Sequence, residues 1–133
     1  MNMVRFRGKN KQRGWVYGSL VESKHSYSQS LRPHRYWIID RAMSNGGWFT
    51  ACRSFPVDES TVGQCTLAQD EVGMDIYEGD ILEHRGERYV VRYLDKYARF
   101  ALTKPGVVFA GVAFCCCRVI GNIHDNPELM GGE

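Results

Sequence analysis

The chain lacks any apolar run long enough to cross a membrane. Its most apolar stretch, residues 107–117, covers 11 positions, whereas a spanning helix needs about 20; the stretch reads instead as one or two buried strands. No secretory leader is expected from the start of the sequence: Met1-Asn2-Met3-Val4-Arg5-Phe6-Arg7 runs into Gly8 and further charged residues with no apolar segment behind it. There is no internal repeat, low-complexity tract or long linker. At 133 residues with 44% hydrophobic and 24% charged positions, the composition is that of a globular protein, and residues 1–133 are expected to form a single compact domain.

Groups that carry chemistry are equally sparse. The five cysteines are Cys52, Cys65 and the run Cys115-Cys116-Cys117. An odd number without a leader argues against a disulfide framework and for a reducing cytoplasm, with the thiols acting as small buried apolar groups. Zinc sites want paired ligands at spacings such as C-x2-C. Three consecutive cysteines on a strand would instead place Cys115 and Cys117 on one face and Cys116 on the other. No metal or other cofactor is expected.

The four histidines, His25, His34, His84 and His124, sit in polar stretches with no nucleophile-elbow pattern nearby. Ser44-Asn45-Gly46-Gly47 has no following lysine, as a phosphate loop would. No catalytic residue and no small-molecule substrate is assigned, and a non-enzymatic role is expected. The alternative, a small hydrolase or nuclease, would draw on Glu78, Asp80 and His84 as acid and base groups.

What the chain does have is a series of short β-branched and aromatic runs. Trp15–Val21 and Arg35–Asp40 read as strands, separated by a polar loop over residues 22–34. Ser44–Gly47 is a turn leading into Trp48–Ala51. Pro56–Val62 carries a plausible helical cap, and any helix there would be short. Asp75–Glu83 reads as a turn feeding a strand, Arg85-Gly86 as a hairpin turn before Glu87–Tyr93, and Arg99–Leu102 and Cys116–Ile123 as the closing strands. Short strands without intervening amphipathic helices predict an all-β fold, with a basic strand meander over residues 1–56. Residues 57–133 would supply an acidic turn and a part resembling an SH3-like small barrel.

Charge divides the same way. Residues 1–56 hold 10 Lys/Arg against 2 Asp/Glu, while residues 57–100 hold 5 against 10. Such asymmetry suits either complementary halves, within one chain or between copies in a homo-oligomer, or a nucleic-acid face. Arg5, Arg7, Lys9, Lys11 and Arg13 form an acid-free stretch beside Trp15 and Tyr17, and Arg35 adjoins Tyr36 and Trp37. Cations interleaved with aromatics fit a groove that neutralises phosphate and stacks bases. The bland reading makes them a solvated hairpin whose aromatics pack inward. A protein partner, or a second copy docking on an unpaired strand edge, is the remaining option.

Several blocks resemble the YopX-like phage and prophage proteins. Val4-Arg5-Phe6-Arg7 and Trp15-Val16-Tyr17-Gly18-Ser19-Leu20 are similar to that family's opening segments, and Asp58-Glu59-Ser60-Thr61-Val62-Gly63-Gln64 to its "ETVGQ" element. Ile76-Tyr77-Glu78-Gly79-Asp80-Ile81 matches "IYEGDI", and Val119–Leu129, with Gly121, Asn122, Asn126 and Pro127, resembles the closing "VIGNIYENPEL". Two departures stand out. Cys65–Gly73 replaces "YTGLKDKNG", and His124 takes the place of a tyrosine. The resemblance implies a phage or prophage origin, a mostly β fold and an uncharacterised role; with the reducing compartment expected from the cysteines, the location expected is the cytoplasm of a bacterial host. The resemblance implies no reaction.

Overall fold

The computed structural model describes residues 4–23, 35–41, 52–107 and 109–131. Of the polar loop expected over 22–34, Glu22 belongs to β2 and residues 24–34 lie outside the described residues, as do the expected Ser44–Gly47 turn and Trp48–Ala51 strand. Nine strands account for most of the described chain: β1 Phe6–Asn10, β2 Gly14–Glu22, β3 Tyr36–Arg41, β4 Cys52–Gln69, β5 Asp75–Tyr77, β6 Asp80–His84, β7 Glu87–Leu94, β8 Arg99–Thr103 and β9 Arg118–Asn122. All pair antiparallel. The helical segments among the described residues are three short 3-10 turns, Asp95–Tyr97, Phe114–Cys116 and Pro127–Met130, and no helix there is long and apolar enough to cross a membrane. The all-β expectation holds.

Two compact units divide the chain at Gln64/Cys65. That boundary lies inside β4, further along than the charge boundary at residue 56.

In the N-terminal unit the strands close on themselves. β1 pairs with β2, β2 with β3, β3 with the first part of β4, and β4 returns to β1 through Gln64 opposite Phe6 and Gly63 opposite Arg7. Val16, Ile38 and Val57 are buried at the centre, with Phe6, Leu20, Tyr36, Phe55 and Val62 packed round them. Closure brings backbones together where β2 passes from one partner to the next. A Cβ on Gly18 would lie 2.1 Å from the Ile39 carbonyl oxygen, so no side chain fits there.

The plausible helical cap at Pro56–Val62 starts no helix, because those residues belong to β4. The capping chemistry is nevertheless present: Asp58 Oδ1 accepts the Ser60 amide at 3.0 Å, and Thr61 Oγ1 donates to the Asp58 carbonyl at 2.6 Å. It shapes an irregularity in the β1–β4 ladder, where Lys9 faces Asp58 while Arg7 faces Gly63. A side chain that can close a local turn serves a bulge as well as a helix start.

In the C-terminal unit, the end of β4 pairs with β5, Cys65 opposite Tyr77 and Gln69 opposite Asp75. A four-stranded sheet follows in the order β8-β7-β6-β9. No β8–β9 pairing joins its ends among the described residues, and the SH3-like barrel expected here is not confirmed; the ring of pairings that does close lies in the N-terminal unit. Ile76, Leu82, Val91, Leu102 and Cys117 are almost fully buried together with Tyr89. Each large aliphatic side chain buried this way contributes about 1.5–3 kcal/mol. Arg85 and Gly86 take positive φ values of 51° and 80° and join β6 to β7, as the hairpin signal predicted.

Among its described residues the apolar run at 107–117 forms no strand, against the one or two expected of it. Val107 makes an isolated bridge to Lys104, the Ala110 amide donates to the Leu102 carbonyl, and Phe114–Cys116 turns into a 3-10 segment. Ala110, Val112 and Phe114 pack on the core while the residues between them face outward. Alternating burial of this kind satisfies the apolar pattern without a full ladder.

Candidate nucleic-acid interface

β1 and β2 form a hairpin whose register places Arg7 opposite Tyr17 and Lys9 opposite Trp15. Because side chains alternate along a strand, these four share one face, and Gly8 and Val16 take the core face. The Arg7 guanidinium lies 4.7 Å from the Trp15 ring centroid and the Lys9 ammonium 5.7 Å. Arg7 is only 6% exposed, whereas Tyr17 is exposed. Trp15 is therefore a half-buried platform with two cations on it, and Arg7 belongs to the packed part of the unit.

The hairpin turn supplies the accessible charge. Asn10 Oδ1 accepts the amides of Gln12 and Arg13, each at 3.0 Å, which fixes the turn and presents Lys11 and Arg13 to solvent. Arg13 stacks 5.4 Å from the Phe55 ring, and Arg53 approaches the same ring at 5.7 Å. Beside this turn lies an open cleft of about 1060 Å³, bordered by Lys9, Lys11, Arg13 and Phe55, with Asp58 and Glu59 on its wall. Cation–aromatic contacts near the surface contribute about 0.5–1 kcal/mol each. They hold the charged heads in place without consuming their capacity to meet an anion.

Of the cations singled out in the sequence, Lys9, Lys11, Arg13 and Arg35 border one cleft. Arg35 is claimed by Glu22, whose carboxylate lies 2.6 Å away and raises the guanidinium's pKa through a hydrogen bond and its charge. Arg5 stands before β1 and is exposed. Sequence reading missed Phe55, which lines the cleft, and Arg53, which is paired with Asp40 and leans on the Phe55 ring from outside the cleft.

The family-signature residues act within the fold. The buried Asp80 carboxylate accepts the Tyr77 amide at 2.7 Å, Gly79 turns with φ 92°, and its amide donates to the Val91 carbonyl. Tyr77-Glu78-Gly79-Asp80 is thus the tight turn between β5 and β6. Asn122 Oδ1 accepts the amides of His124 and Asp125, and Asn126 Oδ1 accepts the Asn122 amide at 3.3 Å. A Cβ on Gly121 would meet Asn126 Oδ1 at 2.6 Å, so glycine, both asparagines and Pro127 make one compact turn. Gly63 is buried in the return of β4 to β1.

The groups weighed for hydrolysis are engaged separately. Asp80 is held in the turn, and His84 Nδ1 is 2.9 Å from the Cys116 carbonyl oxygen. Among the described residues no three His, Cys, Asp or Glu side chains are grouped to hold a metal ion.

The cysteine run departs from expectation. Cys115 and Cys116 are exposed in a 3-10 turn, and only Cys117 is buried. Burial, with the neighbouring thiols and Glu71 adding to it, pushes the Cys117 thiol up to about 11.

Comparison with known proteins supports this architecture. Residues 5–131 match the family model described as YopX protein. Among solved structures, the chain is similar to protein EF1440 from Enterococcus faecalis. The TM-score is 0.53 at 22% identity, over 98% of this chain and 99% of that one, a likeness of fold. A comparison with curated proteins returns no match.

Proposed function

We propose that this chain, which belongs to the YopX family, is a non-enzymatic phage or prophage accessory protein of the bacterial cytoplasm. It works by binding a macromolecule, and the ligand is nucleic acid held at the N-terminal unit. The observation that carries this reading is the cleft beside the β1–β2 turn, where Lys9, Lys11 and Arg13 gather next to Phe55. Each cation that meets a phosphate releases a condensed counterion, so such binding weakens steeply with salt. The acids on the cleft wall keep the local surplus modest. They favour a ligand that also offers stacking over one recognised by charge alone.

The test is fluorescence anisotropy with labelled single- and double-stranded DNA and RNA at about 50 and 200 mM salt. Binding should fall between the two salt concentrations. Lys11→Glu together with Arg13→Glu, both on the exposed turn, should weaken it by at least about tenfold and flatten the salt response. No binding by the wild-type chain in any form, or binding indifferent to these reversals, would reject the reading.

A further inference from the structure

A second cationic and aromatic cluster lies in the C-terminal unit, at the β7–β8 end. Tyr93 of β7 and Phe100 of β8 are directly opposite in register, with ring centroids 5.1 Å apart and planes at 67°. Between these strands the 3-10 turn Asp95–Tyr97 ends at Ala98, which takes a left-handed φ of 51°. Tyr97 and Phe109 then meet edge to face at 6.4 Å and 73°. The Arg99 guanidinium stands 4.3 Å from the Phe109 ring and the Lys96 ammonium 5.8 Å from that of Tyr97.

Phe100 packs on the core, but the other three rings are open to solvent. Tyr93, Tyr97 and Phe109 are 42%, 55% and 44% exposed. Single exposed aromatics are ordinary, but Tyr97 and Phe109 form an exposed pair with a cation on each ring, a patch of the kind that marks a binding surface. Its charge identifies the occupant. Residues 57–100 are acidic overall, with 10 Asp/Glu against 5 Lys/Arg, yet the patch carries exposed Arg92, Lys96 and Arg99 against Asp95. A positive island with open rings, set in an acidic stretch of chain, is complementary to a ligand that is anionic and flat-faced at once.

We propose that this cluster is a stacking site for single-stranded nucleic acid. Tyr97 and Phe109 receive unstacked bases, and Arg92, Lys96 and Arg99 meet the phosphates. Duplex bases are stacked on one another and cannot use the rings, so this site favours single strands, by about 1–3 kcal/mol for each base stacked. The inference extends the reading of the N-terminal cleft with a surface of its own, and the two can fail separately.

The experiment is anisotropy with fluorescein-labelled dT20 and a duplex of equal length. The proteins compared are wild type, Tyr97→Ala/Phe109→Ala, Tyr97→Leu/Phe109→Leu, Arg92→Glu/Lys96→Glu/Arg99→Glu, and the Lys11→Glu/Arg13→Glu chain. Both aromatic variants should lose at least about tenfold in dT20 affinity. Their salt slope should be unchanged, duplex binding should be little affected, and thermal unfolding should match wild type. The charge-reversed patch should lower the slope itself. If both aromatic variants bind dT20 as wild type does, the proposal is overturned whatever the cleft variant shows. If only the cleft variant binds as wild type does, the N-terminal reading falls and this one stands. Wild-type chain that binds no dT20 removes the stacking site outright. Unchanged dT20 binding with loss of self-association on sedimentation would assign the patch to a second copy of the chain, and so also overturn it.

Discussion

The Asp70 carboxylate reaches across 49 positions of the chain to accept the backbone amide of Val119 at 3.0 Å. Its other oxygen accepts the amides of Val72 and Met74, at 3.0 and 2.8 Å. One buried side chain thus closes the turn before β5 and ties it to the first part of β9. The adjacent Glu71 amide adds a bond to the Cys117 carbonyl at 2.9 Å.

Asp70 should therefore confer a pH-dependent stability. Burial opposes its charge, but the amides of Val119, Met74 and Val72, with Arg118 nearby, outweigh that and hold its pKa below the ordinary 3.8. A carboxylate whose folded pKa is depressed contributes stability above the unfolded value and loses it as pH falls through the folded one. Asp70→Asn should cost about 1–3 kcal/mol near neutral pH, since the amide nitrogen faces a donor. In urea unfolding the gap between mutant and wild type should narrow as pH drops below about 4. A gap independent of pH would refute the assignment.

The two glycines that flank the first stretch of β2 should respond very differently to alanine. Gly18→Ala drives a methyl into the Ile39 carbonyl at 2.1 Å and should cost about 3 kcal/mol or more, opening the ring of pairings. At Gly14, with φ at 75°, nothing lies within 4 Å, so only the left-handed backbone resists, at about 1–2 kcal/mol. Denaturant midpoints for the two variants would measure the order directly.

Thiol reactivity should separate the cysteine run residue by residue. Cys115 and Cys116 are exposed, and Cys65 and Cys117 are buried. Iodoacetamide at neutral pH, followed by peptide mass spectrometry, should label Cys115 and Cys116 first and Cys117 only on unfolding. The contact with the Cys115 side chain raises the Cys116 pKa, so Cys115→Ala should speed alkylation of Cys116.

The Lys104–Glu87 pair offers a contrast. Each partner shifts the other's pKa toward the charged form through their hydrogen bond, yet both side chains remain open to solvent. Lys104→Met should change the unfolding midpoint little, because exposed ion pairs contribute about 0–1 kcal/mol. A large loss would mean that its contact with the Tyr89 ring, at 5.3 Å, matters more than the charge.

Local signals carried the sequence reading where the structure itself is local. The β-branched and aromatic run at Trp15–Val21, the Arg85-Gly86 turn and the Tyr77-Glu78-Gly79-Asp80 element appear much as their residue types predict. Readings failed where one local chemistry serves two structures. Asp58 and Thr61 cap a bulge with the same bonds that would start a helix, and the apolar alternation of residues 109–114 covers a core without pairing as a strand. What joins distant positions was invisible. Asp70 gives no hint of Val119, and the stacking of Arg13 and Arg53 on Phe55 depends on a strand register that no window of sequence contains.

The closure of β1 to β4 has a bearing on aggregation. Unpaired strand flanks are the usual template on which misfolded copies accrete, and every strand of that ring has a partner on each side along part of its length. Among the described residues, growth of strand upon strand finds openings at β5, whose one partner is β4, and at β8 and β9, the flanks of the second unit's sheet. At β8 the Ala110 amide, bonded to Leu102, already occupies part of that flank. By joining β1 to β4, the ring withdraws from a second copy flanks that an open meander would leave exposed.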